Sequence, residues 1–277
     1  MKTKDISIPG FASEVTLAGH PDNNCVATIG APNTGKTQFL TTAPGVVGVV
    51  PMDINSRFVV EKMMREGAEV VLSKTDHIRQ KKPMSELKRM TDEAVKQYYR
   101  DHVERVKTDL MNLHASKAVK TIAIDDFGQL CTDIGFAVHG REGIKIKTMG
   151  DGKLFKDNAP NYAEITDLLA ILSTKNLILT HKEKDEYGAK GTAQADEIIG
   201  KTWDNPYKPL GHKVSLVLRH VLNGLYRPGA AGESKSWLYG MSIKQAKARP
   251  ELQGHDVVLK DVMCTWDMVM AVVYPED

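Results

Sequence analysis

The sequence predicts an α/β fold with a mostly parallel central sheet flanked by helices, and three observations carry that prediction. Short apolar runs recur along the chain and alternate with stretches of helical periodicity. The runs are nearly continuous rather than alternating, as strands covered on both faces are. The first of them ends in a glycine-rich turn that opens directly onto a helix. A length of 277 residues, 42% apolar and 26% charged, suits one large domain with excursions or two small ones and excludes global disorder. The longest apolar stretch, near Val46 to Val50, falls far short of the roughly 20 residues a membrane span needs. No apolar segment of a secretory signal follows Met1 to Asp5, and Cys25, Cys131 and Cys264 are few and widely spaced. A soluble protein of a reducing cytoplasm, with no membrane partner, is the expectation.

Taken in order, residues 1–22 read as an N-terminal arm, with Pro9-Gly10 and Pro21 and little periodicity. Residues 23–228 read as the core. Asn24 to Ile29 is a buried strand, Lys36 to Thr42 begins a helix, and Val46 to Met52 is a second strand closed by Asp53. A helix covers Ser56 to Glu66, and Ala68 to Leu72 is a third strand. The longest helical pattern runs from Pro83 to Ser116, with Leu87, Met90, Ala94, Tyr98, Val106, Leu110 and Leu113 on one stripe. Thr121 to Ile124 is the fourth strand, Ala163 to Leu172 a helix, and Asn176 to Thr180 the fifth strand. Val214 to Val221 is the sixth, with Gly224 to Arg227 a candidate pairing partner. Stretches 139–160 and 182–212 carry no clear periodicity, and loops this long in a compact domain are usually functional or disordered. Residues 229–277 read as a C-terminal extension of the core and a candidate oligomer contact, ending in one apolar strand or helix.

The chemistry begins at Gly30-Ala31-Pro32-Asn33-Thr34-Gly35-Lys36-Thr37, which fits G-x-x-x-x-G-K-[ST] without exception. Its fixed positions match by chance in about 1% of chains this long, and a strand before and a helix after supply the required context. Glycines let successive N–H groups converge on phosphate oxygens, and the helix start adds its own N–H groups and dipole. Lys36 would reach the β- and γ-phosphates, and the Thr37 hydroxyl would bind Mg²⁺. This predicts a site for ATP and Mg²⁺. Thr121 to Asp126 agrees, an apolar strand ending in two carboxylates. Asp125 would hold Mg²⁺ through water, facing Thr37, with Asp126 as its supporting partner or a polar cap of the next helix.

Hydrolysis also needs a group that orients water near a neighbouring strand end. Asp53 is the best-placed carboxylate, and a helix-cap role is its plainer reading. His181, directly after Asn176 to Thr180, is a candidate for sensing the γ-phosphate or passing its state to the following loop, and a structural histidine is the alternative.

These parts in this order resemble a RecA-type ATPase, and in particular the minimal RecA-like single-strand annealing and recombination proteins of tailed phages. The likeness spans roughly residues 22 to 228: GAPNTGKT, VVPMD, TIAIDD, NLILTHKEKDEYG and the segment leading to HKVSLVLRHV. The resemblance implies a RecA-like P-loop NTPase core and a catalytic carboxylate at Asp53. It implies a polar sensor at His181 and two DNA-binding loops at 139–160 and 182–212. The first loop holds Arg141, Lys145, Lys147, Lys153 and Lys156 against Glu142, Asp151 and Asp157. The second holds Trp203 and Tyr207 for base stacking, or for anchoring the loop to the core, and its lysines and acids nearly balance.

Charge is segregated along the chain. Lys213 to Arg249 holds seven basic residues and one acid, +6, so the other residues together carry −4 of the formal +2. Family rings and filaments place the nucleotide between subunits, and this run supplies Lys244, Lys247 and Arg249 as candidates acting in trans. The implied activity is ATP hydrolysis coupled to single-stranded DNA in recombination or annealing, by a homo-oligomer. A single-strand binding protein is a further candidate partner. The alternatives are a hexameric P-loop motor, helicase or loader, and, less favoured, a P-loop kinase. The tail is too short for the helical lid domain of an AAA+ protein, and the candidate loops favour lysine over the arginines of a kinase lid.

Overall fold

In a computed structural model that describes residues 23–73, 82–148, 159–187, 198–203, 207, 209–226, 236–254, 256–259 and 265–274, nine strands join in one sheet. They are β1 (Cys25–Gly30), β2 (Val46–Pro51), β3 (Val70–Leu72), β4 (Val119–Asp125), β5 (Asn176–Tyr187), β6 (Ile198–Trp203), β7 (Leu216–Tyr226), β8 (Ser236–Ala246) and β9 (Asp256–Leu259). Their order is β3-β2-β4-β5-β1-β7-β8-β9, with β6 paired to β5 off this path. Every pair from β3 across to β7 is parallel, whereas β5–β6, β7–β8 and β8–β9 are antiparallel. The mostly parallel sheet read from the apolar runs is therefore present.

Helices cover both faces, and strand alternation decides which residue meets which layer. Cys25, Ala27 and Ile29 of β1 join a core with α4 (Asp92–Ala115), α5 (Phe127–Thr148) and α6 (Ala159–Leu172). Val26 faces the other way, into a core built with α1 (Lys36–Leu40), α2 (Ile54–Arg65) and α8 (Trp266–Val273). Fully burying side chains such as Phe39, Leu110 or Phe127 contributes about 1.5–3 kcal/mol each. Among the described residues no helix is long and apolar enough to cross a membrane.

Several boundaries differ from the sequence reading, each for a local reason. The pattern over 83–116 divides into α3 (Met84–Leu87) and α4 because Thr91 is a strong helix start. Its hydroxyl accepts from the Ala94 N–H, and Asp92 and Glu93 place negative charge in the first turn. The far end of α4 is closed by Lys175, whose ammonium donates to the carbonyls of Leu113, Ser116 and Val119 at 3.3, 2.6 and 2.7 Å. Strand β7 continues through the glycine that reads as a break. A register shift between Leu222 and Gly224 absorbs it, and the partner is β8 rather than Gly224 to Arg227. The C-terminal apolar segment is helix α8. Thr265 caps it, and the Trp266 N–H donates to Thr42 Oγ1 at 2.9 Å, which ties it beside α1. A short α7 (Leu210–Lys213) leads into β7.

Helix α5 fills the first half of the stretch left open at 139–160 and bends at Gly140, where φ is 58° and ψ is −131°. A Cβ there would lie 2.5 Å from Asp92 Oδ1 and 3.0 Å from the Asp92 carbonyl oxygen, so the bend seats the helix against the start of α4. Gly140→Ala meets both a positive φ and this contact, and should cost about 1–3 kcal/mol. Thermal unfolding should show a midpoint several degrees lower, and an unchanged midpoint would mean that the joint tolerates a side chain.

Candidate functional site

The carboxyl ends of β1, β2, β4 and β5 open onto a cavity of about 330 Å³. The glycine-rich loop, Asp53, Asn55, Ser56, Val59, Asp125, Asp126, Thr180 and Lys182 border it. In parallel α/β sheets this end is where ligands bind, and the volume suits a small molecule.

The loop takes its shape from two glycines. Gly35 has φ 90°, and Gly30 has no room for a Cβ, which would fall 2.5 Å from Thr34 Oγ1 and 2.8 Å from the His220 carbonyl oxygen. Asn33 also has positive φ, 64°, in the region that asparagine tolerates better than most residues. Lys36 reaches back, its ammonium donating to the carbonyls of Gly30 at 2.7 Å and Ala31 at 2.8 Å. Burial holds Lys36 below the ordinary lysine value, against the opposing pull of Asp125 and Asp126. Helix α1 is only five residues long, shorter than the sequence suggests, so its dipole is small and any anion cradle rests on loop N–H groups.

Asp125 and Asp126 are joined by a cis peptide bond at the end of β4. The buried Asp125 carboxylate accepts from the Thr37 hydroxyl at 2.7 Å on one oxygen and from the Thr180 hydroxyl on the other. Burial, with Asp125 alongside, pushes the Asp126 carboxyl above its usual value although Lys182 opposes the shift. Lys182 lies 3.4 Å from Asp126 Oδ2 and 3.4 Å from Asp53 Oδ2. Burial acts to lower the Lys182 ammonium, but Asp126 and Asp53 together outweigh it and the net shift is upward. Asp53 takes the helix-cap role that is its plainer reading, and it also borders the cavity. Its Oδ1 caps α2 by accepting from the Asn55 N–H at 2.8 Å, while its Oδ2 faces Lys182 in the cavity.

Among the described residues no group of three or more His, Cys, Asp or Glu side chains could hold a metal unaided. The adjoining Thr37 hydroxyl and Asp125 carboxylate are nevertheless hard oxygen donors of the kind Mg²⁺ takes, with phosphate and water completing its shell.

Other sequence candidates fall elsewhere. His181 borders the cavity but is fully buried, its ring edge-on to Phe127 with centroids 5.6 Å apart. Leu177 and Leu179 lie in the same core as Phe127, on the sheet face away from α1, and His181 follows their alternation. The ring of His181 therefore lies on the α5 side of the sheet, as its structural reading has it, while the residue still borders the cavity. Thr180 and Lys182, on the other parity, are the residues sequence reasoning missed; counting alternation outward from the apolar run would have found them. Tyr207 is 1% exposed with its hydroxyl 2.6 Å from Thr166 Oγ1, so it anchors the core and offers no face for base stacking. Trp203 ends β6 opposite Glu183. Arg141, Lys145 and Lys147 lie on the last turns of α5, whereas Lys153 and Lys156 lie outside the described residues.

Lys247 and Arg249 lie towards the opposite end of the sheet, whereas Lys244, between Ile243 and Gln245 of β8, is level with the middle of β1. Ala246 pairs with Leu216, which pairs with Val26, whereas the loop starts from Gly30. That separation is roughly 13 Å of strand, and Lys247 and Arg249 lie beyond Ala246, away from the chain's own loop. The Lys247 ammonium donates to the His212 carbonyl at 2.7 Å, and Arg249 pairs with Glu251 at 2.6 Å. No model of a known protein family matches the chain, and comparison with curated proteins finds no match.

His220 is level with Gly30 on β7, buried under the loop with its ring edge-on to Phe39. Burial, and to a lesser degree Lys36, lowers its pKa from 6.5 to about 3. Between these values the unfolded chain binds a proton that the folded chain refuses. Stability is therefore full above pH 6.5 and falls as the pH drops, by at most about 1.4 kcal/mol per unit. From pH 7.5 to 5, urea unfolding of His220→Leu should lose about 2 kcal/mol less than the parent does. Equal losses in both proteins would remove His220 from the acid response.

Proposed function

We propose that the chain is a Mg²⁺-dependent ATPase with a RecA-like P-loop core, acting on single-stranded DNA as a homo-oligomer in recombination or annealing. The observation that carries the ATPase reading is the 2.7 Å bond from the Thr37 hydroxyl to Asp125, which couples the glycine-rich loop to the carboxylate strand. A threonine after the loop lysine and an acid at a strand end, in contact, are the pair a P-loop site needs around its metal.

In this reading the loop N–H groups hold the α- and β-phosphates, and Lys36 turns from the Gly30 and Ala31 carbonyls to the β- and γ-phosphates. Mg²⁺, held by Thr37 and through water by Asp125, would neutralise charge on the phosphate oxygens. Thr180 keeps the Asp125 carboxylate oriented. Asp53 accepts a hydrogen bond from the attacking water through Oδ2, since Oδ1 is committed to α2. The DNA reading rests on the family resemblance and is supported by the position of two hairpins. Strands β5 and β7 continue past Lys182 and His220, the residues level with Gly30, and so project beyond β1 at the cavity end. Lys247 and Arg249 of the C-terminal run, remote from their own loop, suit contact with a neighbouring subunit's site.

Lys36→Ala should abolish hydrolysis, and Asp53→Asn should bind ATP nearly normally while turning over about a hundredfold more slowly. Steady-state hydrolysis with and without single-stranded DNA, at two salt concentrations, tests both halves. The rate should rise with DNA and the rise should shrink with salt. Parental hydrolysis by Lys36→Ala would remove the loop from the mechanism, and a DNA-independent rate would favour the kinase alternative.

A further inference from the structure

The cavity poses an electrostatic problem that Lys36 alone does not solve. Asp53 is pinned by the cap of α2, and Asp126 is buried beside Asp125, so neither carboxylate can retreat from an arriving anion. Among the described residues that border the cavity and are open to it, the cations are Lys36 and Lys182. Lys36 lies along the loop, bonded to the Gly30 and Ala31 carbonyls, and would turn from them to the β- and γ-phosphates on the loop side. Lys182 stands on the carboxylate side, 3.4 Å from both Asp53 and Asp126. Only a third phosphate, extending away from the loop, would come to it.

Its backbone position is fixed by the sheet. Lys182 pairs with Gly30, the last residue of β1, and shares strand parity with Thr180, whose hydroxyl bonds Asp125. Its side chain is 53% exposed on a flexible four-carbon stem, so the ammonium can shift between partners at little cost.

We propose that Lys182 makes the site select a nucleoside triphosphate over a diphosphate, by placing one ammonium between the terminal phosphate and the carboxylates of Asp53 and Asp126. The inference rests on the nucleotide reading above and adds a specificity-determining residue to it. Without Lys182, a terminal phosphate keeps Lys36 on its loop side but faces the carboxylates of Asp53 and Asp126 with no cation between; a diphosphate stops short of them and is indifferent to the change.

The test is equilibrium binding, in Mg²⁺, of a fluorescent non-hydrolysable ATP analogue and of the matching ADP derivative. The parent should bind both. Lys182→Gln should lose about tenfold in affinity for the triphosphate, near the lower end for one charge-assisted hydrogen bond, and change little towards the diphosphate. Lys182→Arg should keep the preference. Asp53→Asn, which retains the capping oxygen, should restore part of the lost triphosphate affinity when combined with Lys182→Gln, a rescue that a merely structural lysine would not give. Equal losses towards both nucleotides, or no loss at all, in Lys182→Gln overturn the assignment and leave the nucleotide reading standing. A parent protein that binds neither nucleotide overturns both.

Discussion

The buried carboxylate of Asp125 is the constraint around which the site is arranged. A carboxylate taken out of water must be met by hydrogen-bond donors, and here two threonine hydroxyls meet it, one on each oxygen. Thr37 comes from α1, directly after the loop, and Thr180 from β5, the strand that separates β1 from β4. The loop, the acidic strand and the strand between them are thereby held in one relative position. Side chains around this knot inherit their places from it: Lys36 along the loop, Asp126 one residue on, and Lys182 one strand repeat beyond Thr180.

The two ends of the sheet divide the chemistry. At the carboxyl end lie the loop and the carboxylates, with Lys182 between Asp53 and Asp126. At the amino end lie Lys247 and Arg249, from the part of the chain that concentrates positive charge. Strands β8 and β9 continue the sheet and α8 covers one of its faces, so these late elements are built into the core instead of being appended to it.

Much of this architecture is legible in the sequence because its strands are covered on both faces. Burial on both sides demands continuous apolar runs such as those at Val46 and Asn176, and such runs stand out from the charged helices between them. The loop and the acidic pair are legible because their residue types and spacing stand out against the apolar strands they follow. What escapes is governed by pairing partners. The polar end of β5 carries no apolar signal, and it is a strand because β6 returns alongside it. The bend at Gly140 depends on the approach of Asp92 from a different helix, which no local pattern reports. His181 against Lys182 is a question of strand parity, and a histidine next to a motif attracts notice that a lysine among lysines does not.

That parity has a consequence for how the segment can change over time. Thr180, His181 and Lys182 are consecutive, and the middle one belongs to the opposite side of the sheet from its neighbours. Replacing one of them alters one contact. Deleting a single residue from the preceding run would exchange their sides, turning an imidazole into the acidic cavity and burying an ammonium beneath Phe127. The length of this strand is therefore under tighter restraint than its composition, and related chains should align through Asn176 to Lys182 without a gap even where their side chains diverge.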